Sequence, residues 1–382
     1  MKLNLGWLVP FALLSVVGCT QMDQRSDMPE KKPLVAMESP LQIDLKWRVD
    51  TGNGTNDKDI KLSLAQDHNT LYAVDACGKV MAIKEQTGEE AWTANLKAPV
   101  TAGPAVAENR LVVGTSNGKV ITVDASNGKV LWTSITTSEI LATPTIASDA
   151  VYVHTMDGGL SAMSLIDGRK LWRYTHNLPP LMLRRSSSPE VKNDLVIAGF
   201  ANGKLLAIQK NDGSVTWSQD ISNPKGTTDL QRMVDISADP VIQGDHVYAA
   251  SYQGNVAALS LQTGNVLWER AIPSYAGLTL DQNLLFVSSS NGDIVALDKQ
   301  NGATYWLQTD LQGRRLSKAA VMNNYLIVGD DDGIIHWLDK STGKIVGRYE
   351  LDSEGIEATP IVHNKTVYIL GCGGQLIALE VC

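Results

Sequence analysis

The stretch Val123-Asp124-Ala125-Ser126-Asn127-Gly128-Lys129-Val130-Leu131-Trp132 contains the unit from which most of this chain is built. Two β-rich runs flank an Asn-Gly pair, which is the strongest short signal for a hairpin. Each unit begins with a glycine ten residues before the turn glycine, and the units return every 38 to 51 residues. The first glycines are Gly78, Gly118, Gly158, Gly203, Gly254, Gly292, Gly333 and Gly374. The turn glycines are Gly88, Gly128, Gly168, Gly213, Gly264, Gly302 and Gly343, and Trp92, Trp132, Trp172, Trp217, Trp268 and Trp306 follow six of them by four residues. Such a period is typical of a repeat architecture.

Eight units of four short strands predict an all-β fold, an eight-bladed β-propeller of four-stranded antiparallel blades. The last unit ends at Cys382 after its third strand, whereas residues 45–49 read as a strand of their own that contains Trp47. We therefore expect the N-terminal strand to complete the eighth blade and close the ring. The propeller would occupy residues 41–382, and a split into two domains is the alternative.

A small residue follows each first glycine by four positions, and we expect it to face the tryptophan across the hairpin. These residues are Ala82, Thr122, Ala162, Ala207, Ala258, Ala296 and Ala378. The seventh unit exchanges the two sizes, with Trp337 at the small position and Gly347 at the large one. Because this exchange conserves volume, we expect Trp337 to be buried in space that the outer tryptophan fills elsewhere.

The composition excludes several classes of protein. The chain has 382 residues, 43% hydrophobic and 19% charged, with a net charge of −8. That is enough apolar material for a large core, so a disordered or fibrous chain is excluded. No run of basic residues provides a footprint for nucleic acid. Four scattered cysteines form neither a disulfide framework nor a zinc motif, although Cys77 and Cys372 lie in near-equivalent turns and their pairing stays open.

The N-terminus predicts export and a lipid anchor. Lys2 precedes an apolar run over residues 8–17 that is too short to span a bilayer, as in a signal peptide. The following Val16-Val17-Gly18-Cys19 resembles the lipobox of bacterial lipoproteins, which implies a signal peptide over residues 1–18 and lipidation of Cys19. Thr20 follows, and in such lipoproteins the absence of Asp there implies sorting to the outer membrane, facing the periplasm. Polar, Pro-containing residues 19–40 predict a flexible tether.

The repeat resembles the tryptophan-docking repeat of quinoprotein propellers, and with the lipobox it is similar to the BamB family of lipoproteins in the outer-membrane β-barrel assembly machinery, the Bam complex. Two segments carry a local resemblance, residues 181–184 with the following Ser188-Pro189, and residues 232–235. The resemblance implies that Leu181, Leu183, Arg184 and Asp235 bind periplasmic domains of BamA. The family has Asp-x-Asp in the second segment, whereas Ser237 stands here in place of the second Asp.

That family implies a scaffold without enzymatic activity or cofactor, which docks to BamA and assists the assembly and insertion of β-barrel proteins. Unfolded outer-membrane proteins are further candidate partners, for example through pairing with a blade edge. The alternatives are a periplasmic quinoprotein-like enzyme and a propeller that binds glycans in its central channel.

The spacing of the units points to the same two segments independently of the family. From the tryptophan to the proline near the start of the next unit there are 12 residues from Trp92 to Pro104 and from Trp132 to Pro144, but 17 from Trp172 to Pro189 and 23 from Trp217 to Pro240. Two neighbouring connections between blades are thus lengthened, and they should lie side by side on one face, where binding residues favour loops. Leucines beside Arg184 and Arg185 have the composition of an interface anchor. Alternatively, these leucines begin the next strand, and Asp235 is a turn residue or pairs with Arg184.

Candidate catalytic and metal-binding residues are few. The one carboxylate cluster is Asp330-Asp331-Asp332, followed by Gly333 at a turn position, so we interpret it as a solvated turn rather than a metal site. The six histidines do not cluster: His68, His246 and His363 fall near turns of three different units, and His154 lies within a predicted strand. The sequence therefore predicts no catalytic residue and no metal site.

Overall fold

A computed structural model describes residues 28–37, 40–56, 58–351 and 354–381, whose 32 strands form eight four-stranded antiparallel sheets. Blade 1 consists of β2 (Ala65–Asp67), β3 (Thr70–Val74), β4 (Lys79–Lys84) and β5 (Glu90–Asn95). Blade 2 consists of β6 (Val100–Ala107), β7 (Arg110–Thr115), β8 (Lys119–Asp124) and β9 (Val130–Ile135). Blade 3 consists of β10 (Thr145–Ala147), β11 (Ala150–Thr155), β12 (Gly159–Ser164) and β13 (Lys170–Thr175). Blade 4 consists of β14 (Glu190–Lys192), β15 (Leu195–Gly199), β16 (Lys204–Gln209) and β17 (Val215–Asp220).

The second half repeats the arrangement. Blade 5 consists of β18 (Val241–Gln243), β19 (His246–Ala250), β20 (Val256–Ser260) and β21 (Val266–Arg270). Blade 6 consists of β22 (Gly277–Asp281), β23 (Leu284–Ser288), β24 (Ile294–Asp298) and β25 (Thr304–Gln308). Blade 7 consists of β26 (Ala320–Met322), β27 (Tyr325–Gly329), β28 (Ile334–Asp339) and β29 (Ile345–Glu350). Blade 8 consists of β30 (Ile361–His363), β31 (Thr366–Leu370), β32 (Gln375–Val381) and β1 (Ile43–Asp50). The predicted eight-bladed propeller is confirmed.

The ring closes through the N-terminal strand. β1 is the outer strand of blade 8 and pairs antiparallel with β32, from Ile43 opposite Val381 to Asp50 opposite Gln375. Because strand direction alternates within a blade, the turns between second and third strands lie at the same end as the connections between blades. We call this end the connection face and the other end the turn face. Ile43 therefore lies at the turn face and Asp50 at the connection face.

Each outer tryptophan packs on the next blade. The predicted pairing of small residue and tryptophan is present in register, as in Ala82 opposite Trp92 and Ala378 opposite Trp47. The Trp92 ring lies where a Cβ on Gly128 of blade 2 would stand, 2.6 Å from that position, and its Nε1 donates to the carbonyl of Ala125 at 2.9 Å. The same contact to the following blade is made by Trp47, Trp132, Trp172, Trp217, Trp268 and Trp306.

Blade 7 has no outer tryptophan, and the way in which the ring closes explains why. Its outer tryptophan would pack on the turn between the third and fourth strands of blade 8, but β1 supplies that fourth strand from elsewhere in the sequence. Gly347 takes the place of the tryptophan and stands opposite Trp337, which is fully buried as predicted. A Cβ on Gly347 would lie 3.1 Å from both Leu41 and Ile43, so the N-terminal segment covers this position.

The described part of the predicted tether lies against the propeller. The backbone N–H of Lys32 donates to the carbonyl of Gln312 at 3.0 Å, and the Leu34 side chain packs against the core of blades 6 and 7. Cys19 and the signal peptide predicted for residues 1–18 lie outside the described residues, as does Cys382. Cys77 and Cys372 are thiols rather than a disulfide. Within the described ranges, no helix has the length and apolarity needed to cross a membrane.

Candidate partner-binding surface

The two lengthened connections meet on the connection face. Residues 176–189 join blades 3 and 4, and residues 221–240 join blades 4 and 5. The backbone N–H of Leu183 in the first donates to Oδ2 of Asp235 in the second at 2.5 Å. The structure thus brings three of the four predicted contact residues, Leu181, Leu183 and Arg184, onto one loop that Asp235 supports from below.

Asp235 is buried, with 2% of its surface exposed. Burial raises the pKa of its carboxyl to about 6, and the bond from the Leu183 N–H only partly offsets this. Its Oδ1 is buried without a hydrogen-bond partner. Asp235 therefore acts on any partner through the loop that it holds rather than by direct contact. The alternative of a pair with Arg184 is not what the structure has, because Arg184 is bonded elsewhere.

Arg184 and Arg185 extend the loop across the mouth of the central channel. Arg184 donates through Nη2 to Oε1 of Glu139 at 2.5 Å and through Nη1 to the carbonyl of Asp59 at 3.0 Å. Arg185 donates to Oδ1 of Asp59 at 2.9 Å and to Oε1 of Glu357 at 3.3 Å. The acceptors belong to three other connections of the ring, so the loop is fastened from several sides.

Arg185 also stacks on an aromatic ring, with its guanidinium carbon 5.5 Å from the centre of Tyr275. Although burial disfavours the charged form, the carboxylates of Glu357 and Asp59 raise the pKa of Arg185 above its usual value. Beneath this loop a cavity of about 290 Å³ opens into the channel. Its lining is mixed, with the apolar side chains of Leu64 and Leu141 as well as the charged groups of Lys61 and Asp239.

The apolar part of the loop is available to a partner. Leu181 is 43% exposed, and Leu178 is 36% exposed. Leu183 is half-buried, and Met182 lines a small groove with Phe200. The leucines do not begin the next inner strand, because β14 starts only at Glu190. Arg184 is half exposed, which leaves its charge at the edge of the leucines.

Sequence reasoning missed the residues that brace this loop. Asp59, Glu139 and Glu357 come from connections of ordinary appearance, and only their common place between blades could have indicated them. Ser187 was also missed: its carbonyl lies 3.1 Å from Nδ1 of His154, a buried histidine on β11. These bonds fix the loop to the blades around it, so that it is held in place by the propeller.

The interpretation of Asp330-Asp331-Asp332 as a solvated turn is wrong for its first residue. Asp330 is fully buried, and its Oδ2 accepts from Nη1 of Arg314 at 2.9 Å and lies 2.9 Å from Nε2 of His336. Burial opposes ionisation, but the bonds from His336 and the Arg314 charge hold the pKa of Asp330 below its usual value. Arg314 and His336 are far apart in the repeat pattern, so the pattern could not indicate this cluster. In the described part of the chain, no group of three or more metal-ligating side chains is arranged to hold an ion.

Comparison with known proteins adds to this geometry. The family model described as "Outer membrane protein assembly factor BamB" matches residues 76–308 and 307–381. The curated outer membrane protein assembly factor BamB of Pseudomonas aeruginosa is 44% identical over 368 residues, which cover 96% of each chain.

Solved structures agree on the architecture. The crystal structure of BamB from Moraxella catarrhalis superposes with a TM-score of 0.81 at 25% identity, covering 89% of this chain and 100% of that one. The quinohemoprotein alcohol dehydrogenase of Comamonas testosteroni has a TM-score of 0.71 at 12% identity, covering 88% of this chain and 76% of that one. The second likeness concerns the fold alone.

Proposed function

Because this chain belongs to the BamB family of outer membrane protein assembly factors, we propose that it is a scaffold lipoprotein that docks to BamA through the loop of residues 178–185. In this proposal residues 1–18 are a signal peptide, Cys19 carries the lipid, and the propeller works in the periplasm at the outer membrane. The chain has no chemistry of its own in this role. It assists the insertion of β-barrel proteins by holding its partner in position.

The observation that carries the proposal is the bond between Leu183 and Asp235, which presents exposed Leu181 beside the Arg184 charge on a loop braced from all sides. A preorganised apolar knob with an arginine loses little conformational entropy on binding. Arginine is enriched among the residues that dominate the binding energy of protein interfaces, and exposed Leu181 supplies apolar surface beside it.

The proposed interface contains apolar contacts from the leucines and a charged contact from Arg184. Leu181 and the exposed part of Leu183 enter an apolar depression of the partner. Arg184 exchanges its bond to Glu139 for an acidic or carbonyl acceptor on the partner at little cost, because it is already half in water. Asp235 holds the loop in place from beneath.

Binding of the lipidated full chain in detergent to purified periplasmic domains of BamA tests this proposal. We expect Leu181→Glu and Arg184→Glu to weaken binding at least tenfold, about 1.4 kcal/mol. Leu183→Glu should act in the same direction. Leu171→Glu is the matched control, because Leu171 is 42% exposed but lies on β13, away from the loop.

Wild-type affinity in Leu181→Glu and Arg184→Glu would refute the loop as the docking site. Absence of binding by the wild type would return attention to the glycan-binding alternative and the cavity beneath Arg185. Assays with periplasmic glycans would then follow.

A further inference from the structure

The N-terminal segment of residues 31–35, which we call the strap, occupies a site built for it on blade 7. Lys31 Nζ lies 2.6 Å from Oδ1 of Asp332 and 3.1 Å from Oδ2 of Asp331. Both carboxylates are held in place by other bonds. Nη1 of Arg314 bonds both Asp332 at 2.6 Å and the buried Asp330, and the backbone N–H of Arg315 donates to Oδ1 of Asp331 at 3.2 Å. The acidic turn of residues 330–332 thus binds a lysine from the N-terminal segment of the same chain.

Backbone contacts complete the site. A Cβ on Gly313 would lie 2.5 Å from the backbone of Lys31, so only glycine allows the strap to approach here. Farther along, Nη1 of Arg348 donates to the carbonyl of Val35 at 2.6 Å. The Leu34 side chain packs against the core of blades 6 and 7 between these two points. The strap is therefore fastened by charge, backbone bonds and apolar packing together.

The direction of the strap follows from the topology. Asp331 and Asp332 lie in the turn between β27 and β28, at the connection face. Beyond residues 38 and 39, the N–H of Leu41 donates to the carbonyl of Val346 at 2.7 Å, and Ile43 lies at the turn face. With the strap docked, the chain toward Cys19 leaves from the connection face. With the strap released, it would leave near Leu41, at the opposite face.

We propose that the docked strap makes the connection face the membrane-facing side of the lipid-anchored propeller. This inference rests on the proposed lipidation of Cys19. Eleven residues separate Cys19 from Lys31, so the chain between them spans at most about 40 Å. A blade is about 20 Å tall. For the turn face to lie nearer to the lipid, the chain from Cys19 to Lys31 would have to run the whole height of a blade, which takes about half of its greatest span.

The inference also relates the anchor to the proposed docking loop. The strap leaves the connection face at blades 6 and 7, and the loop of residues 178–185 lies on the same face at blades 3 to 5. A partner bound to the loop therefore lies on the membrane side of the propeller. That arrangement suits a partner that itself extends from a membrane-embedded part.

Quenching of a fluorophore by spin-labelled lipid headgroups tests the orientation. The lipidated full chain is reconstituted in phosphatidylethanolamine and phosphatidylglycerol vesicles, with Cys77, Cys372 and Cys382 replaced by serine. The fluorophore is attached through Asn291→Cys or Gln300→Cys, two exposed turn positions of blade 6 at the connection face and the turn face respectively. We expect at least threefold stronger quenching at position 291.

Lys31→Glu and Lys32→Glu are the matched strap variants. The first places a negative charge against Asp331 and Asp332, and we expect it to abolish or reverse the difference between the two positions. The second makes the same charge change at Lys32, whose Nζ lies 3.4 Å from Oγ1 of Thr309 and which forms no ion pair within 4 Å with any described residue, and it should preserve the difference.

The outcomes distinguish the lipid anchor from the orienting role of the strap. A chain that does not float with the vesicles refutes the lipid anchor, and the orientation with it. A chain that floats but is quenched equally at both positions refutes the role of the strap and leaves the anchor standing. Equal effects of Lys31→Glu and Lys32→Glu would also refute the role of the strap.

Discussion

Oδ2 of Asp235 accepts a hydrogen bond from the backbone N–H of Leu183 at 2.5 Å, and this bond joins the two lengthened connections of the propeller. The other oxygen of the same carboxyl, Oδ1, is buried without a partner. A protonated carboxyl suits this site better than a carboxylate, because one acceptor is used and the second oxygen is shielded from water. The loop support is thus sensitive to pH in a calculable direction.

Replacing Asp235 by Asn should change the pH dependence of stability. The pKa of Asp235 is about 6 in the folded protein, above its value of roughly 4 in the unfolded chain. Between these values only the unfolded chain ionises, so the free energy of unfolding falls as pH rises and levels off above pH 6. Two pKa units correspond to about 3 kcal/mol at most.

Asp235→Asn keeps an acceptor for the Leu183 N–H and removes the ionisation. We expect it to be more stable than the wild type by about 2 kcal/mol at pH 7.5 and within about 1 kcal/mol at pH 4.5, measured by urea denaturation. Because all other groups titrate alike in both chains, a difference that stays constant with pH would contradict the raised pKa.

The ring closure depends on Glu85, which is buried at the junction of blades 1 and 8. Its Oε1 accepts from Tyr368 at 3.0 Å and lies 2.5 Å from Nδ1 of His363, both in blade 8. We expect Glu85→Ala to lower the free energy of unfolding by about 1–3 kcal/mol, because it leaves the buried hydroxyl of Tyr368 without its acceptor. Glu89→Ala, on the exposed turn of the same hairpin, should leave the free energy of unfolding nearly unchanged, because its ion pair is exposed to water. Comparable losses in the two variants would show that Glu85 has no special part in closure.

Two tryptophans should respond differently to loss of the indole nitrogen. Trp306 Nε1 donates to the carbonyl of Lys340 at 2.9 Å, whereas Trp337 Nε1 is buried without a partner. Trp306→Phe removes a bond, and Trp337→Phe removes an unsatisfied donor. We therefore expect Trp306→Phe to be about 1 kcal/mol more destabilising, although Trp337 is the more buried of the two, as measured by chemical denaturation. The opposite order would mean that volume alone governs both sites.

Arg185 should control the local opening of the loop over the channel. Arg185→Gln loses the ion pairs with Asp59 and Glu357, and we expect amide hydrogen exchange in residues 178–186 to accelerate at least tenfold while the strands keep their protection. Arg173→Gln is the control, because Arg173 has the same side-chain exposure and an ion pair with Asp157 elsewhere on blade 3. Unchanged exchange in Arg185→Gln would mean that other bonds suffice to hold the loop.

Much of the fold could be predicted because the repeat determines local pairings. The interval between Gly78 and Trp92 sets a hairpin register, and that register places Ala82 opposite the tryptophan. Ring closure by β1 could be predicted because the last unit has only three strands of its own, whereas an additional strand precedes the first unit. The buried state of Trp337 followed from volume exchange with Gly347.

The rest depends on contacts between segments that no period relates. The burial of Asp330 needs Arg314 from the connection before blade 7, and the carboxylates beside it receive Lys31 from outside the repeats. The bond from Leu183 to Asp235 joins the two lengthened connections. Their lengths could be counted in the sequence, but the course of each loop over the propeller could not be predicted from it. Burial of a polar group is decided by what covers it, and here the cover comes from distant parts of the sequence.

Because β1 pairs with β32, the ring of blades closes only when both the first and the last strand are present. β1 precedes all the other strands of the ring in the chain, and its only strand partner is the last, so the two join after every blade between them has been made. A chain cut short before residues 375–381 would keep β1 as an open edge, available to proteases and to foreign strands. The edge of the first strand is therefore covered once the last strand has been made and has paired with it.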